Sequence, residues 1–409
     1  MAASGRRPVL IAGGGIGGLS LALALARLGL PSRVVERRAE WSEAGAGIQI
    51  SPNGVHVLER LGVADMLAPS AGMPEAIVVR DGRTGASLQR LPLGDWIRER
   101  HGAPYWLAHR QDLQAVLLDA VRRESLVALQ PGFEVASYAE NAAGIHLQSA
   151  AGDSIEGSCL VGADGVFSRI RQQLFAPKAP AFSGWTACRT VVRADRFAPG
   201  GPVDRTATGV WLAPRAHVVH YPVRAGTEIA FVVVRAERWH EQGWSSQVAE
   251  SDVAAALRHS APALAEAMPS GNDWRRWALF EFASLPAWSK GRVTLLGDAA
   301  HPTLPFLAQG GVLALEDAAT LAARLSAAPD DASISGAVAA YSAERAGRAA
   351  RVVATARRNG TIFHLSGPAA FARNLAMRAI SGDRVLAAYD WVYGWRPGEI
   401  PPRSGAQSS

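Results

Sequence analysis

The chain has 409 residues, of which 48% are hydrophobic and 19% charged, and its formal net charge is +6 at pH 7. This length predicts two or three domains, and the composition excludes a disordered chain. The basic residues form no aromatic-basic stripe, which argues against nucleic acid and favours small anionic ligands. No apolar stretch reaches the roughly 20 residues of a membrane span, and we expect no signal peptide. Two cysteines are too few for a disulfide framework, so we expect a cytoplasmic protein.

The N-terminal segment follows the order of a dinucleotide-binding βαβ unit. Val9–Ala12 predicts a buried parallel strand, Leu19–Leu28 a helix and Ser32–Val35 a second strand. Glu36 ends that strand within the offset of roughly 20 residues at which an acid binds a ribose hydroxyl. We assign Glu36 and its neighbour Arg37 to a cofactor site.

Three glycines between the first strand and the helix complete this fingerprint. Gly13 allows the tight turn, Gly15 lets the backbone approach a pyrophosphate, and Gly18 lets the helix pack closely on the strand. The N-terminus of the helix would face that pyrophosphate. A glycine-rich turn without a ligand is the alternative, and it leaves the acid after the second strand unexplained.

The remaining segments alternate between β-rich and helical patterns. The glycine-rich loop Gly45-Ala46-Gly47, whose Gly47 we assign to the cofactor site, leads to a strand at Ile48–Ile50 and a helix from about Pro52. In chain order we then predict a hairpin over Ala76–Gln89, a helix over Asp112–Arg123, a hairpin over Ile145–Leu160, several strands over Phe182–Val234, a helix over Ser251–Met268, a strand over Val293–Leu296, a helix over Gly311–Leu325, a mostly helical remainder to Arg384 and a disordered tail at Arg403–Ser409.

These patterns predict an α/β fold in which nucleotide-binding βα units flank a β-rich insertion, followed by helices. We divide the chain into a discontinuous dinucleotide-binding domain at 1–75, 106–178 and 286–325, a substrate domain at 76–105 and 179–285, and a C-terminal helical segment at 326–409.

Two further strands end in a glycine and an acid, with Asp164 after one and Gly297-Asp298 after the other. A carboxylate at the carboxyl edge of a parallel strand faces the crevice in which ligands bind. Asp298 can accept hydrogen bonds from a polyol such as a ribityl chain. Gly310 and Gly311 then open a helix whose N-terminus can hold negative charge on a flavin pyrimidine ring. A helix cap is the alternative for either acid alone.

Together these motifs resemble the single-component FAD-dependent aromatic hydroxylases, the group A flavoprotein monooxygenases. The resemblance runs nearly end to end and rests on the N-terminal fingerprint, on Gly162–Gly165 with a following Ser and Arg, and on Gly297–Pro302. His109–Leu113 resembles the family's His-Arg-x-x-Leu, whose Arg, here Arg110, reaches the FAD. Asp390–Gly394 resembles the closing motif of the salicylate and 3-hydroxybenzoate hydroxylase branch.

The resemblance implies a p-hydroxybenzoate hydroxylase-like Rossmann fold and a permanently bound FAD. It also implies that NADH or NADPH reduces the flavin without a Rossmann domain of its own, in agreement with the single glycine fingerprint. Two stretches depart from the family. Ala308–Val312 lacks the Asn of the common Gly-Gln-Gly-x-Asn, and Pro305 stands where 3-hydroxybenzoate 6-hydroxylases commonly have Gln.

The strand around His217 supplies candidates for the chemistry. Flavin-dependent hydroxylation needs an electron-rich ring, and a base that removes a phenolic proton raises the reactivity of the ring. Side chains alternate along a strand, so His217 and Tyr221 share one face and His220 lies on the other. Branch members have a His and a Tyr that match the first two. We interpret His217 as the base or phenol partner and Tyr221 as a donor to the substrate. A hydrogen-bonded sheet histidine is the alternative, and we interpret His364 as structural.

The same resemblance points to residues for substrate binding. Arg189 matches an arginine that the branch retains, and it is a candidate to bind a carboxylate or to steer the flavin; a surface salt bridge is the alternative. Pro305, Phe306 and Leu307 are expected to line the ring pocket, with an apolar core role as the alternative.

We therefore expect an enzyme that hydroxylates a small aromatic acid of salicylate or 3-hydroxybenzoate type, using FAD, NADH or NADPH, and O2. Hydroxynicotinate or anthranilate is the alternative substrate, and a flavin-bound sequestering protein without turnover is the alternative function. A halogenase is disfavoured because the chain has no Trp-x-Trp-x-Ile-Pro stretch. The sequence leaves the oligomeric state open between a monomer and a homodimer, and we expect no metal, nucleic-acid or membrane partner.

Overall fold

The computed structural model describes residues 6–41, 47–176, 179–241, 243–258, 260–270 and 273–398. Its strands are β1 (Val9–Ala12), β2 (Ser32–Glu36), β3 (Gly47–Ile50), β4 (Ala76–Asp81), β5 (Ser87–Pro92), β6 (Trp106–His109), β7 (Val127–Pro131), β8 (Val135–Asn141), β9 (Gly144–Ser149), β10 (Ser154–Gly157), β11 (Cys159–Gly162), β12 (Ala181–Arg193), β13 (Ala207–Ala213), β14 (Ala216–Val223), β15 (Glu228–Ala236), β16 (Ser245–Val248), β17 (Trp274–Glu281), β18 (Ser289–Lys290) and β19 (Val293–Leu295). Its α-helices are α1 (Ile16–Arg27), α2 (Pro52–Leu61), α3 (Ala64–Leu67), α4 (Gly94–His101), α5 (Arg110–Arg122), α6 (Arg169–Phe175), α7 (Glu250–Ala256), α8 (Pro262–Ala267), α9 (Gly310–Ser326), α10 (Ile334–Phe363), α11 (Gly367–Ala379), α12 (Gly382–Ala387) and α13 (Asp390–Tyr393).

A six-stranded sheet in the order β18-β19-β11-β1-β2-β7 forms the dinucleotide unit. Strand β1 lies between β2 and β11, and every neighbouring pair except β18–β19 is parallel. The central strands are apolar throughout because helices such as α1 cover the faces of a parallel sheet. The predicted strand–helix–strand order is confirmed, and Glu36 is the last residue of β2.

Close packing accounts for two of the fingerprint glycines. Gly13 has a φ of +113°, and a Cβ there would lie 2.4 Å from the Ala163 carbonyl oxygen. A Cβ on Gly18 would lie 2.0 Å from the Gly13 carbonyl oxygen. Both distances are too short for any side chain, so the turn and the approach of α1 to β1 require glycine.

An eight-stranded sheet in the order β16-β17-β12-β15-β14-β13-β4-β5 forms the second large layer. Its neighbours are antiparallel except β13 and β4, which are parallel. The hairpin predicted over Ala76–Gln89 and the strands predicted over Phe182–Val234 are confirmed. One face packs on Val253 and Leu264 of α7 and α8, and the opposite face packs on Phe306 and Leu107.

The C-terminal helices tie the two layers together. The 30-residue α10 runs beside α9, and the Arg345 Nε donates to Asp317 Oδ1 at 2.7 Å between them. The Asp390–Gly394 motif forms α13, where Asp390 accepts from Arg100 Nε at 2.7 Å. The two sheets draw their strands from the segments assigned to the two domains, and the domain boundaries themselves stay a prediction.

One predicted element is wrong. The helix expected over Ser251–Met268 is two short helices, α7 and α8, and α8 begins at Pro262. Proline has no N–H to continue a helix, and it disfavours a helical conformation in the residue before it. Ala261 is accordingly extended, with a ψ of 146°. The residues Gly45 and Ala46 and the predicted tail at Arg403–Ser409 lie outside the described residues.

Within the described part of the chain, no helix has both the length and the apolar composition that a membrane crossing requires. The same residues contain no group of three or more His, Cys, Asp or Glu side chains placed to hold a metal ion.

Candidate active site

The acid at the end of β2 is held against the glycine turn. Both oxygens of the Glu36 carboxylate accept backbone hydrogen bonds, from Gly14 N–H at 2.9 Å and from Arg38 N–H at 3.0 Å. The carboxylate is therefore oriented at the mouth of the β1–α1 turn, where an adenosine ribose would be gripped. The neighbouring Arg37 is exposed.

One carboxylate oxygen of Asp164 accepts hydrogen bonds, and the other has no partner among the described residues. Its Oδ2 accepts from the N–H groups of Arg169 at 2.8 Å and Ile170 at 3.3 Å, so it caps the start of α6, as the alternative interpretation proposed. Its Oδ1 is buried and has no hydrogen-bond partner among the described residues. Burial raises the pKa of Asp164, against the hydrogen bonds that lower it. A buried oxygen beside the Gly13 turn needs a donor, and a cofactor hydroxyl would be one.

The loop after β19 and the start of α9 meet at one point. Asp298 is exposed in a short 3-10 turn, Gly297–Ala299, and a Cβ on Gly310 would lie 3.9 Å from its Oδ1. Gly311 lets α9 approach β3, because a Cβ there would lie 2.7 Å from Ile48. The first N–H groups of this 17-residue helix and its positive dipole end are suited to an anionic ring.

Sequence reasoning missed the buried ion network behind these loops. Asp317 accepts from Gly297 N–H at 3.1 Å and from Arg345 Nε at 2.7 Å, and His301 Nε2 lies 2.5 Å away. Burial opposes the ionisation of Asp317, yet the His301 and Arg345 side chains hold its pKa at about 2. The sequence did contain a signal for this network, the adjacent acids Glu316 and Asp317 among the apolar residues of α9. Buried carboxylates require partners, so these acids indicate cations nearby.

Its neighbour Glu316 anchors the other side of the same helix. Glu316 is fully buried and pairs with Arg345 and Arg348, each at 2.7 Å, and Asn53 Nδ2 donates to it at 2.6 Å. Asn53 Nδ2 also donates to Gln309, the residue before α9, at 3.1 Å. The network thus joins α2, α9 and α10 below the crevice.

These observations fit an FAD. The glycine turn leaves no room for a side chain, Asp164 offers an unpartnered oxygen, and α9 points its N-terminus at the same crevice. Arg171 fixes the two acid-bearing loops relative to each other, because its Nη1 donates to the Ala299 carbonyl at 3.0 Å. Glu36, Asp164 and Asp298 are the residues that would hold the ribose and ribityl hydroxyls, which stays a prediction.

His217 lies on the face of β14 that looks toward the dinucleotide unit. It is 2% exposed, its ring centroid is 5.6 Å from that of Phe306, and its Nδ1 is 2.9 Å from His364 Nε2. Burial lowers the pKa of His217 well below 6.5, and His364 lowers it further. The imidazole is therefore neutral near pH 7 and has a nitrogen that can accept a proton.

Tyr221 and Arg189 lie on the same face. A Cβ on Gly47 would be 2.3 Å from the Tyr221 ring, so β3 passes directly over the phenol. Burial raises the pKa of Tyr221 to about 12, although Arg189 opposes the rise. The phenol therefore remains protonated and can donate a hydrogen bond.

Arg189 is a half-buried cation without a carboxylate partner among the described residues. Burial lowers its pKa, Tyr221 opposes that shift, and Arg110 adds to it. Its Nε is buried and makes no hydrogen bond within the described part, and its guanidinium lies 5.3 Å from the Trp277 ring. The surface salt bridge offered as the alternative is not what this residue forms. Arg110 itself begins α5.

His220 lies on the opposite face, as strand alternation predicted. Its ring packs 5.6 Å from Phe231 in the core covered by α7 and α8. Burial lowers its pKa to about 4, with a smaller contribution from Arg80, while Asp204 opposes the shift. Neither of its ring nitrogens has a hydrogen-bond partner in the described residues.

The predicted pocket residues Pro305, Phe306 and Leu307 form a short 3-10 turn. Phe306 is buried and packs against Gly360 of α10, while Pro305 and Leu307 are half-buried. A pocket of about 540 Å³ opens beside Phe306; its walls include Ser183, Trp185, Glu281, Arg357, Thr361 and His364. Phe306 therefore lines this pocket and also packs against the His217 ring.

His364 and Trp185 were not selected from the sequence. Their rings stack with centroids 3.9 Å apart and planes 21° apart, and His364 bonds to His217. No local pattern links these residues, because 147 positions separate the two histidines. The interpretation of His364 as structural stays a prediction, and the structure adds that this residue contacts the candidate base.

Comparisons with known proteins identify the family. Residues 6–356 match the model of the FAD binding domain family. The chain is 34% identical over 391 residues to the 3-hydroxybenzoate 6-hydroxylase of Polaromonas naphthalenivorans (strain CJ2), covering 96% of each chain. It is 37% identical over 408 residues to a 3-amino-4-hydroxybenzoate 2-monooxygenase of Streptomyces platensis, covering 98% of this chain and 99% of the relative.

A solved structure shows the same fold. The Klebsiella pneumoniae protein HpxO, complexed with FAD and uric acid, matches with a TM-score of 0.80 and 28% identity, over 94% of this chain and 96% of HpxO. The glycine turn, the two acid-bearing loops and the extent of these matches lead to one conclusion. The chain belongs to the FAD binding domain family, and it is one of the FAD-dependent aromatic hydroxylases of that family.

Proposed function

We propose that this protein hydroxylates a small phenolic carboxylic acid with NADH or NADPH and O2. One observation carries the proposal: the buried His217 and Tyr221 and the half-buried Arg189 share one face of the eight-stranded sheet. That face lies opposite the predicted flavin site. The rest of that face is apolar, with Val219, Val232 and Val234 among its residues. Such a surface suits a flat aromatic ring with a few polar substituents.

Arg189 would bind the carboxylate of the substrate. A half-buried guanidinium without an acidic partner is costly, and an incoming carboxylate removes that cost through charge-assisted hydrogen bonds. This requirement favours aromatic acids over neutral phenols.

His217 and Tyr221 would bind the phenolic group. Bound FAD supplies the electrophilic oxygen at the expense of NADH or NADPH and O2. The neutral His217 accepts the phenolic proton and so makes the ring more electron-rich, and the protonated Tyr221 donates to an oxygen of the substrate. Phe306 excludes water from one side of the ring.

The relatives narrow the substrate class. A 3-hydroxybenzoate or salicylate is the first candidate, supported by the relative named 3-hydroxybenzoate 6-hydroxylase. A 3-amino-4-hydroxybenzoate is the second, supported by a relative of higher identity, 37%, that carries that substrate in its name. Pro305 argues against the first candidate, because a proline side chain offers no hydrogen bond where 3-hydroxybenzoate 6-hydroxylases commonly have Gln.

The test is a substrate screen on the FAD-loaded protein. NADH and NADPH oxidation, O2 uptake and hydroxylated product are measured with 3-hydroxybenzoate, salicylate, 3-amino-4-hydroxybenzoate, 6-hydroxynicotinate and anthranilate. We expect at least one phenolic acid to yield product with oxygen derived from labelled O2. Benzoate is the matched control, since it has the carboxylate without the phenol. Binding of these acids without substrate-dependent O2 uptake would instead support the sequestering protein.

A cytoplasmic location belongs to this proposal as well; it comes from the sequence, and fractionation of cells tests it. The sequence does not give the oligomeric state, so light scattering of the purified protein decides between a monomer and a homodimer.

A further inference from the structure

Asp317 ties the turn that carries Asp298 to the middle of α9. Its Oδ2 accepts from Gly297 N–H at 3.1 Å and lies 2.5 Å from His301 Nε2, so one oxygen contacts the chain both before and after Asp298. The other oxygen, Oδ1, accepts from Arg345 Nε of α10 at 2.7 Å. An ionised carboxylate only accepts hydrogen bonds, so His301 Nε2 is the donor in its contact.

The turn around Asp298 is compact, and its flanking residues Gly297 and Ala299 are buried. Gly297 has a φ of +63°, and its carbonyl accepts from the N–H groups of Ala300 at 2.8 Å and His301 at 2.9 Å. The side chain of Asp298 is exposed and leaves from the centre of this turn. Whatever holds Gly297 in place therefore determines where the Asp298 carboxylate points.

The same contact sets how the turn lies against α9. Asp317 lies about two turns into this helix, which begins at Gly310. A Cβ on Gly310 would lie 3.9 Å from Asp298 Oδ1, and a Cβ on Gly297 would lie 3.1 Å from the Cβ of Ala314. The turn and the helix are thus in direct contact, and the hydrogen bond from Gly297 to Asp317 keeps one from sliding along the other. The two elements predicted to hold the ribityl hydroxyls and the flavin ring are held at a fixed separation.

Stability alone does not account for a carboxylate at this position. Asp317 and Arg345 are 0% and 1% exposed, and an apolar pair of similar volume often joins two helices equally well. An apolar side chain would leave Gly297 N–H without an acceptor in the core, and an amide would turn its own N–H toward a donor on one side. A carboxylate accepts from Gly297, His301 and Arg345 at once.

We propose that Asp317 positions the FAD through Asp298. By holding Gly297 and His301, it keeps the Asp298 carboxylate and the N-terminus of α9 in the arrangement that binds the ribityl chain and the flavin ring. Asp317 is a positioning residue, because it is fully buried behind the turn. The inference goes beyond the proposed function, since it concerns the cofactor and not the aromatic substrate, and it uses the predicted contact between Asp298 and the ribityl hydroxyls.

The experiment measures the release of FAD in the absence of substrate. FAD-loaded protein is diluted, the rise in flavin fluorescence gives the release rate, and urea unfolding of the same sample gives its stability. Asp317→Asn should release FAD roughly 10- to 100-fold faster than wild type, because a hydrogen bond to a charged group is lost. In an Asp298→Ala background the same substitution should change the rate by less than about 3-fold, since the contact that Asp317 positions is already absent.

A double variant separates positioning from stability. Asp317→Leu combined with Arg345→Met leaves no unpaired charge in the core, because Glu316 keeps its ion pair with Arg348 at 2.7 Å. This variant should unfold at a urea concentration close to that of wild type. It should still release FAD at least about 10-fold faster, because Gly297 N–H has lost its acceptor.

Glu237→Gln is the matched control. Glu237 follows β15 of the eight-stranded sheet and also pairs with two arginines, Arg235 at 2.7 Å and Arg276 at 3.3 Å, so its replacement should leave FAD release unchanged. Release at the wild-type rate from Asp317→Asn or from the double variant, multiplicative effects of Asp317→Asn and Asp298→Ala, or equal acceleration by Glu237→Gln would each overturn the proposal. Because no substrate is present, these failures leave the proposed hydroxylation in place, and a failed substrate screen leaves this inference in place.

Discussion

The two faces of β14 carry histidines that look alike in the sequence and differ in the structure. His217 and His220 are 2% and 1% exposed, and burial lowers the pKa of both. His217 bonds to His364 and faces the predicted flavin site, whereas neither ring nitrogen of His220 has a partner within the described residues. Burial alone therefore does not identify a catalytic histidine. What lies opposite the strand decides whether the ring can reach a substrate.

The largest expected effect is a loss of hydroxylation when the histidine on one face of β14 is replaced but not when the histidine on the other face is. His217→Leu should lower the hydroxylation rate by roughly 10²–10⁴-fold, because the base is lost, while reduction of the flavin by NADH or NADPH continues. Product and peroxide formed per NADH or NADPH oxidised measure this uncoupling. His220→Leu is the matched control and should keep the coupling of wild type. Uncoupling by His220→Leu instead would mean that the faces are assigned the wrong way round.

The second effect separates the faces by stability. The pKa of His220 is about 4 in the folded protein and near 6.5 when unfolded, so the unfolded chain binds more protons between these pH values. His220 therefore makes its full contribution to the free energy of unfolding above pH 6.5. This contribution, on the order of 3 kcal/mol, is lost as the pH falls toward 4.

Urea unfolding of the FAD-loaded protein at pH 7 and pH 4.5 measures this loss. His220→Leu cannot titrate and should lose less stability than wild type over the same interval. His146→Leu, at a half-exposed position, is the control and should follow wild type. Equal losses in wild type and His220→Leu would show that His220 is not held neutral by its surroundings.

The third effect concerns the half-buried cation of the catalytic face. Arg189→Met should weaken binding of an aromatic carboxylate by roughly 1.5–3 kcal/mol, which is about 10- to 100-fold, because a charge-assisted hydrogen bond is lost. The free energy of unfolding should not fall, since the variant removes an unpaired, half-buried charge. Titration of the flavin spectrum gives the Kd. The control is Arg193→Met, at the exposed end of the same strand, which should leave binding unchanged. If Arg189→Met binds the carboxylate normally but unfolds more easily, Arg189 is a structural residue.

The smallest effect concerns the phenol. Tyr221→Phe removes one hydrogen bond to the substrate without changing the packing. The binding free energy should weaken by about 0.5–1.5 kcal/mol, so KM should rise roughly 2- to 10-fold. Steady-state kinetics with the best substrate measure it. Tyr138→Phe, in β8 away from this face, is the control. No change in KM or coupling would remove Tyr221 from the list of substrate contacts.

The nucleotide-binding half was predictable because its requirements are local. The Gly13 turn, the approach of Gly18 and the acid at Glu36 lie within one βαβ unit, where spacing along the chain determines spacing in the structure. Strand alternation also placed His217 and His220 on opposite faces correctly. The single helix predicted over Ser251–Met268 was wrong because the Ala-rich composition was weighted above Pro262. In the structure α7 ends at Ala256, and Pro262 begins the separate helix α8.

By itself the sequence determined the α/β class, the dinucleotide turn, the candidate face of β14 and the resemblance to aromatic hydroxylases. Only the tertiary structure decided which residues meet from distant segments: His364 against His217, Asp317 beneath the Gly297 loop, and Arg189 beside Tyr221. The physical reason is that periodicity and turn chemistry act over a few residues. Hydrogen bonds and ion pairs in a core depend instead on how whole sheets and helices pack, which no short stretch of chain encodes.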